Sequence, residues 1–398
     1  MEALAAQESR SNRGFSIALL GLALITGVAL QQFGPASISQ LFTSLKLESA
    51  GGLGALACAL VAAVLAHESG HLIAALAMKF AITGASLGPF RVARLGGQWT
   101  ASFSLRSFQS ASVSAIPRQM DSWRSRLLVV IAAGPVATLL TGSVACLLFA
   151  NAAEQSWTRN FLAAFCQVSL YIFVLGLVPN RSDARVRNDM RLFLTVLRDT
   201  PESHEIFLYN WIGQQQFSGT RPRDLPQELI RELQLANARP DFAVLFARNI
   251  AAFATDSEDL VEAELWHRQA LSISQKCDGR TQRVVEAEYA CYCLLFKDDI
   301  SSASARIADF DTALLTPPSL AFRAKAVQAF CQGNGPAVLA AIAQARFVLG
   351  SASAHYAFEY KLLSMLQAKV SAFRFITPPH QNSNSIGSKL KHLRPCAS

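Results

Sequence analysis

Charged side chains are scarce in this sequence. Lys, Arg, Asp and Glu make up 16% of its 398 residues, against about 25% in an average soluble protein. The first 180 residues hold only 11 basic and 6 acidic side chains, whereas the remaining 218 hold 25 and 22. This shift in composition indicates two regions, of which the second is predicted to be soluble.

The sequence also lacks any cysteine spacing typical of a zinc finger, and it has no basic aromatic motif of the kind that binds nucleic acid. Its 8 cysteines are scattered through both regions. We therefore expect buried thiols in a reducing cytoplasm. The net charge of +8 requires no nucleic-acid partner, because positively charged cytoplasmic loops account for it.

Long apolar runs are abundant instead. Crossing the hydrocarbon core takes roughly 20 apolar residues, and four segments qualify: 15–33, 51–78, 127–150 and 161–178. The first segment also fits a cleaved signal peptide, since Arg10 and Arg13 precede it and Ala36 follows it. The predicted fold class is mainly α. We expect a polytopic bundle of membrane helices with a small β-hairpin over residues 1–200, followed by an all-α soluble domain.

One charged residue interrupts the second apolar run. Between Gly51 and Met78 the only charged side chain is Glu68, within His67-Glu68-Ser69-Gly70-His71. Positions i and i+4 lie on one helix face, so His67 and His71 can bind one Zn²⁺ while Glu68 acts as general base toward water at the metal. This arrangement predicts amide hydrolysis. A proton relay or a buried His/Glu cluster, as in transporters, is the alternative.

A catalytic zinc needs a third protein ligand and an open position. The other histidines lie far along the chain, and the nearest acidic residues after a membrane segment are Asp183 and Asp189. Asp189 is favoured because Asn188-Asp189 opens an amphipathic helix near the end of the fourth segment. Asp183 stays open as the second candidate, and either residue can instead be a solvated partner of the neighbouring arginines.

These residues resemble the site-2 protease family of intramembrane zinc metalloproteases over roughly residues 51–197. The likeness depends on four features: the His67–His71 motif, Gly88-Pro89-Phe90, Ala132-Ala133-Gly134-Pro135-Val136-Ala137, and Leu177-Val178-Pro179 followed by Asn188-Asp189. The resemblance implies that Asp189 is the third zinc ligand. It also implies a membrane-tethered regulator or a remnant signal peptide as substrate. The sequence departs from the family at Thr138, where an Asn is usual, and at Met190, where a Gly is usual.

The connection between the second and third membrane segments contains a predicted hairpin. From Trp99 to Arg106 apolar and polar residues alternate, and Gly96-Gly97 precedes them as a turn. Phe90 and Val92 would lie on the incoming strand. We expect this hairpin to dip into the membrane interface and to pair with an extended substrate by strand addition. An ordinary amphipathic loop resting on lipid headgroups is the alternative.

Basic residues predict the orientation of the chain. They are frequent before the first span, between the second and third spans and after the fourth, and the remaining two connections hold only Lys46 and Arg159. This alternation predicts both termini in the cytoplasm, with the protein in a bacterial inner membrane. His67 and His71 would then lie in the cytoplasmic half of the second span.

The C-terminal half is predicted to be nearly all helical. Over residues 201–376, three segments resemble first helices of repeated hairpins, 284–297, 319–333 and 354–369, with starts 35 residues apart, close to the roughly 34-residue tetratricopeptide period. An irregular helical bundle is the alternative. Such a domain can bind a protein partner. Residues 377–398 are predicted to be a disordered basic tail that can contact anionic lipid.

The sequence as a whole predicts a zinc-dependent intramembrane endopeptidase with His67, His71 and Asp189 as ligands and Glu68 as the catalytic base. Its expected partners are a membrane protein or signal-peptide substrate, membrane lipid and a protein bound to the helical domain. A catalytically inactive membrane adaptor that uses this helical domain is the main alternative. An ion or proton transporter that uses Glu68 is the other.

Overall fold

The computed structural model describes residues 50–95, 98–103, 111–153, 156–179, 188–198, 200–307, 318–350 and 356–372. These residues are mostly helical, with thirteen α-helices and one four-stranded antiparallel sheet among them, which confirms the mainly α fold class. The predicted span 15–33 and the predicted tail 377–398 lie outside the described residues. The chain divides into two compact units, one of residues up to Thr220 with Asp224–Ala243 and a second of Arg221–Arg223 with residues from Val244.

Three long apolar helices form the framework of the first unit. They are α1 (Ala50–Ala77), α2 (Trp123–Asn151) and α3 (Trp157–Leu177), and all three are long and apolar enough to cross a membrane, as the sequence predicted. Small side chains of α1 such as Ala59 and Ala63 are fully buried, whereas its large side chains such as Leu60 and Leu65 are about half exposed. Small residues let membrane helices approach each other while the large apolar ones face lipid.

The connection between α1 and α2 folds into a four-stranded sheet, where only a hairpin was predicted. The strands are β1 (Phe80–Leu87), β2 (Phe90–Leu95), β3 (Gln98–Phe103) and β4 (Ala111–Pro117), in the order β3-β2-β1-β4. The predicted hairpin is β2–β3, and its turn at 96–97 lies outside the described residues. Strands β1 and β4 escaped prediction because their faces carry mainly Ala, Ser and Gly, which give little contrast between apolar and polar positions.

One face of the β2–β3 hairpin is aromatic and exposed. Phe90 pairs with Phe103, and Arg94 pairs with Trp99, so these side chains lie on the same side of the two strands. Phe90, Trp99 and Phe103 are each more than half exposed. An exposed apolar face next to membrane helices is suited to contact with lipid.

Short helices follow the third span and pack against it and the sheet. They are α4 (Asp189–Leu197), α5 (Pro201–Phe217) and α6 (Gln227–Leu235). Val196 of α4 and Ile206 of α5 share a buried cluster with Leu128 and Ile131 of α2. Gly213 of α5 lies against Ile116 of β4. The second domain was predicted to begin at residue 201. The contacts above join α5, which begins there, to α2 and β4, and the predicted domain boundary stays a prediction.

The second unit consists of paired helices. Its helices are α7 (Pro240–Asp256), whose first turn belongs to the first unit, α8 (Leu260–Ser274), α9 (Gly279–Phe296), α10 (Ile300–Ile307), α11 (Pro318–Cys331), α12 (Gly335–Leu349) and α13 (Ala357–Ala372). The first helices of successive pairs start at 240, 279, 318 and 357, each 39 residues after the last. The predicted helices are present, but the 35-residue spacing was wrong, so a tetratricopeptide relationship stays unconfirmed.

The cysteines differ in part from the prediction. Cys146 of α2 and Cys166 of α3 form a disulfide, whereas all eight were expected to be thiols. Position 146 lies near the end of α2 and position 166 in the facing part of α3, so the two side chains meet where the antiparallel helices pack. Among the described residues, Cys291 and Cys293 are buried thiols as expected, and Cys58 is exposed on α1.

Candidate metal site

Three side chains from two helices converge: His67 and His71 lie on α1, and Asp189 lies on α4. The Nε2 atoms of His67 and His71 lie 3.2 Å apart, and the Oδ2 atom of Asp189 lies 2.9 Å from the first and 3.4 Å from the second. Zinc bonds of about 2.0–2.1 Å in a tetrahedron separate the ligand atoms by about 3.3 Å. The spacing therefore fits a metal ion. Asp183, the other candidate for the third ligand, lies outside the described residues.

The second nitrogen of each imidazole is bound by α2. His71 donates from Nδ1 to the backbone oxygen of Val130 at 2.8 Å, and Nδ1 of His67 lies 2.8 Å from the hydroxyl of Thr138. Metal-binding histidines usually donate their other ring N–H to such a partner, which fixes the tautomer and the ring orientation. The arrangement directs both Nε2 atoms to the same point.

Two glycines allow α1 and α2 to approach closely enough for this contact. A Cβ atom on Gly70 would lie 2.6 Å from Cβ of Ala137 and closer still to the backbone oxygen of Ala133. A Cβ atom on Gly134 would lie 2.8 Å from Cδ2 of His71 and overlap its Nε2. The Ala-Ala-Gly-Pro segment of α2 therefore supplies the surface on which the His71 ring lies.

Asp189 is the first residue of α4, and hydrogen bonds hold this helix at both ends. Asn188 caps its start by accepting a hydrogen bond from the backbone N–H of Arg191, and its amide nitrogen donates to Val178 O at the end of α3 at 2.5 Å. Arg124 of α2 donates to the backbone oxygens of Val196 and Leu197 at the other end of α4. These bonds fix the helix start that carries Asp189 relative to both neighbouring membrane helices.

Met190 follows Asp189 inside the helix, and it is not among the described residues with positive φ. The conformation here therefore does not require a glycine, so the departure from the family at this position leaves the Asp189 geometry intact. Burial alone would raise the pKa of the Asp189 carboxyl, but the imidazoles of His67 and His71 reverse this, and its pKa lies well below the usual range.

Glu68 lies beside the cluster without belonging to it. Its carboxylate interacts electrostatically with His67, His71 and Asp189, and with the backbone N–H of Val113. Val113 lies on β4, an edge strand of the sheet. Glu68 was predicted from the sequence, but β4 was not. Its Ala-Ser-Val-Ser-Ala segment alternates as a strand does, yet its small side chains give little contrast between apolar and polar positions.

Thr138 was noted only as a departure from the family, and the structure gives it a definite contact. It is fully buried behind His67, so its hydroxyl is not available to a substrate. The polar contact with substrate that the family residue suggested is therefore not supplied at this position. The spacing of four residues from Gly134 to Thr138 places both on one face of α2 and could have indicated a shared contact with the motif.

The geometry combines three potential ligands, an adjacent carboxylate and the edge strand β4 of the described sheet. Among the described residues, His67, His71 and Asp189 form the group that could hold a metal ion. The family model described as peptidase family M50 matches residues 55–374, which is most of the chain. No curated protein and no solved structure gave a match.

Proposed function

The chain belongs to peptidase family M50, and from this premise we propose that it is a zinc-dependent endopeptidase that cleaves membrane-tethered substrates within the bilayer. The observation that carries the proposal is the convergence of two Nε2 atoms and one carboxylate oxygen beside Glu68. Two neutral imidazoles and one carboxylate are a ligand set found at catalytic zinc sites. When bound, zinc supplies a Lewis acid that makes water reactive at neutral pH.

Glu68 moves the proton in this proposal. Its carboxylate accepts a proton from the attacking water and delivers it to the nitrogen of the leaving amine. It is not one of the three residues whose ligand atoms meet, which are His67, His71 and Asp189. The N–H of Val113 orients the carboxylate from the sheet side.

The substrate has to present an extended backbone at this site. A transmembrane helix hides its amides in internal hydrogen bonds, so a scissile bond becomes accessible only after local unwinding. We propose that the unwound segment pairs with β4, the edge strand of the described sheet, whose Val113 lies beside Glu68, rather than with the predicted hairpin strands. Strand pairing at this edge brings the scissile amide toward Glu68.

Backbone N-methylation of a substrate peptide tests this pairing. The N–H groups of a paired strand point alternately toward and away from its neighbour. N-methyl groups placed at successive positions should therefore inhibit cleavage at every second position. Inhibition without alternation would contradict strand addition while leaving the metal chemistry unaffected.

The three apolar helices and the family make the chain an integral membrane protein. We propose a bacterial inner membrane with the sheet side facing the cytoplasm. This side carries the basic residues Lys79, Arg91, Arg94, Arg118, Arg124 and Arg126, in accord with the positive-inside rule. The Cys146–Cys166 disulfide lies toward the opposite end of the bundle, where an oxidising compartment would preserve it. The second unit is proposed to recruit a protein partner.

No observation favours the adaptor or the transporter. The departure at Met190 requires no glycine, and Thr138 contacts a proposed ligand instead of leaving a gap. Glu68 is surrounded by the proposed ligands and the sheet, an arrangement that suits a general base. The endopeptidase therefore remains the one function proposed.

Zinc content and cleavage test the proposal together. We expect about one zinc per purified chain, lost in the double variant His67→Ala/His71→Ala. Cleavage of a membrane peptide should fall about 10²–10⁴-fold in Glu68→Gln with zinc retained. Ser69→Ala, at the exposed neighbouring position, is the matched control and should cleave as wild type does. Equal cleavage by Glu68→Gln would remove the role of Glu68, and wild-type protein without zinc would refute the enzyme.

A further inference from the structure

The two histidines of the motif differ in what holds their second ring nitrogen. Nδ1 of His71 donates to the backbone oxygen of Val130, a partner that no side-chain substitution removes. Nδ1 of His67 meets the hydroxyl of Thr138 at 2.8 Å. The hydrogen bond at Nδ1 of His67 therefore depends on one side-chain hydroxyl, that of Thr138.

The hydroxyl proton of Thr138 already has a partner. Oγ1 of Thr138 donates to the backbone oxygen of Gly134 at 3.0 Å, and a carbonyl oxygen can only accept. Since a hydroxyl has one proton, Oγ1 is left to accept the second hydrogen bond, and His67 must be its donor. In the neutral imidazole a proton on Nδ1 leaves the lone pair on Nε2, the atom that meets Nε2 of His71 and Oδ2 of Asp189 at the proposed metal position.

Burial of Thr138 protects both of its hydrogen bonds from water. Thr138 is fully buried, so water cannot replace either hydrogen bond. Its branched Cβ restricts χ1, and its acceptor at Gly134 belongs to the same helix. The hydroxyl therefore has a fixed position relative to the surface of α2 on which the site is built.

We propose that Thr138 is a positioning residue for His67. Its hydroxyl selects the tautomer with the proton on Nδ1 and holds Nε2 toward the metal position. This inference rests on the proposed zinc site and concerns metal binding, because Thr138 acts through His67 and touches neither metal nor substrate.

Metal affinity of matched variants tests the inference. Thr138→Val keeps the shape and removes the hydroxyl, whereas Thr138→Ser keeps the hydroxyl. Thr141→Val is the control, since the hydroxyl of Thr141 bonds only to its own helix, at Ala137 and Thr138. The readouts are the zinc dissociation constant of the full chain in detergent, by competition with a chromophoric chelator, and the visible spectrum of the Co²⁺-loaded protein.

We expect Thr138→Val to weaken zinc binding about 10–100-fold and to change the Co²⁺ spectrum. Thr138→Ser and Thr141→Val should resemble the wild type. Thr138→Ala serves in place of valine if helical circular dichroism shows that Thr138→Val does not fold.

Two results would overturn this inference and leave the proposed function unaffected. One is wild-type zinc affinity in Thr138→Val. The other is equal weakening in Thr138→Val and Thr138→Ser, which would assign the effect to packing. A wild-type chain that binds no zinc would refute the proposed function as well.

Discussion

At the scale of single residues, the site depends on side chains that are absent as much as on those present. Gly70 and Gly134 occupy the places where α1 and α2 come closest, and the ring of His71 lies over Gly134. The two imidazoles of the His67–His71 motif therefore reach the proposed metal position because the facing helix has no Cβ at one position. A sequence pattern names the ligands, but it does not show which neighbours must stay small.

Adding one methyl group at these positions should disrupt the site. Gly134→Ala is expected to displace the His71 ring and abolish zinc binding, and Gly70→Ala to lower stability by about 1–3 kcal/mol through overpacking. Gly54→Ala is the control, because a Cβ there meets nothing within 4 Å. Zinc content and the melting temperature measure the outcome. Full zinc occupancy in Gly134→Ala would show that the close helix contact is not needed.

At the scale of secondary-structure elements, α4 is short and contributes one carboxylate, that of Asp189 at its start, to the proposed metal site. Asn188 joins this start to α3, and Arg124 joins the end of α4 to α2. The sequence predicted an amphipathic helix beginning at Asn188-Asp189, and the structure has α4 there. The anchoring bonds were not predictable, because they connect residues far apart in sequence whose proximity follows from helix packing.

Asn188→Ser separates the two functions of the asparagine. Serine can still cap α4, but its side chain is shorter and lacks the amide group that donates to Val178 O. We expect zinc affinity to fall by about tenfold, as for other residues that orient a ligand. Asn334→Ser, which changes the cap of α12, should leave zinc affinity unchanged. An unchanged affinity in Asn188→Ser would mean that α4 is held by other contacts.

At the scale of the whole molecule, the second unit contains an alternating series of charges on its first helices. Arg248 of α7 pairs with Glu288 of α9 at 2.7 Å, and Arg323 of α11 pairs with Glu359 of α13 at 2.8 Å. Burial would raise the pKa of Glu288, but Arg248 and Arg323 lower it below its usual value. Glu288 thus connects the two pairs, and the series links the first helices of four successive helix pairs, α7, α9, α11 and α13.

Breaking this series should destabilise the second unit. Arg323→Met leaves Glu359 without its partner and is expected to cost about 3–5 kcal/mol, whereas Arg323→Met/Glu359→Leu should recover much of that loss. Arg268→Met, which removes an exposed ion pair with Glu264, should cost less than about 1 kcal/mol. Unfolding followed by helical circular dichroism measures all three. A double variant as unstable as the single one would contradict the pairing.

The sequence determined the features that depend on local pattern. The length of the apolar runs predicted the three membrane helices that the structure describes. Helical spacing predicted that His67 and His71 share one face, and cap chemistry predicted that α4 begins at Asn188-Asp189. It also indicated paired helices in the C-terminal half, although not their 39-residue spacing.

The tertiary structure alone decided which groups meet. The close approach of α1 and α2 at Gly134, the contact of Thr138 with His67, and the β4 edge beside Glu68 join residues 40 or more positions apart. Such contacts depend on how helices and strands pack against one another. Packing is set by the shapes of many side chains at once, and no short stretch of sequence contains that information.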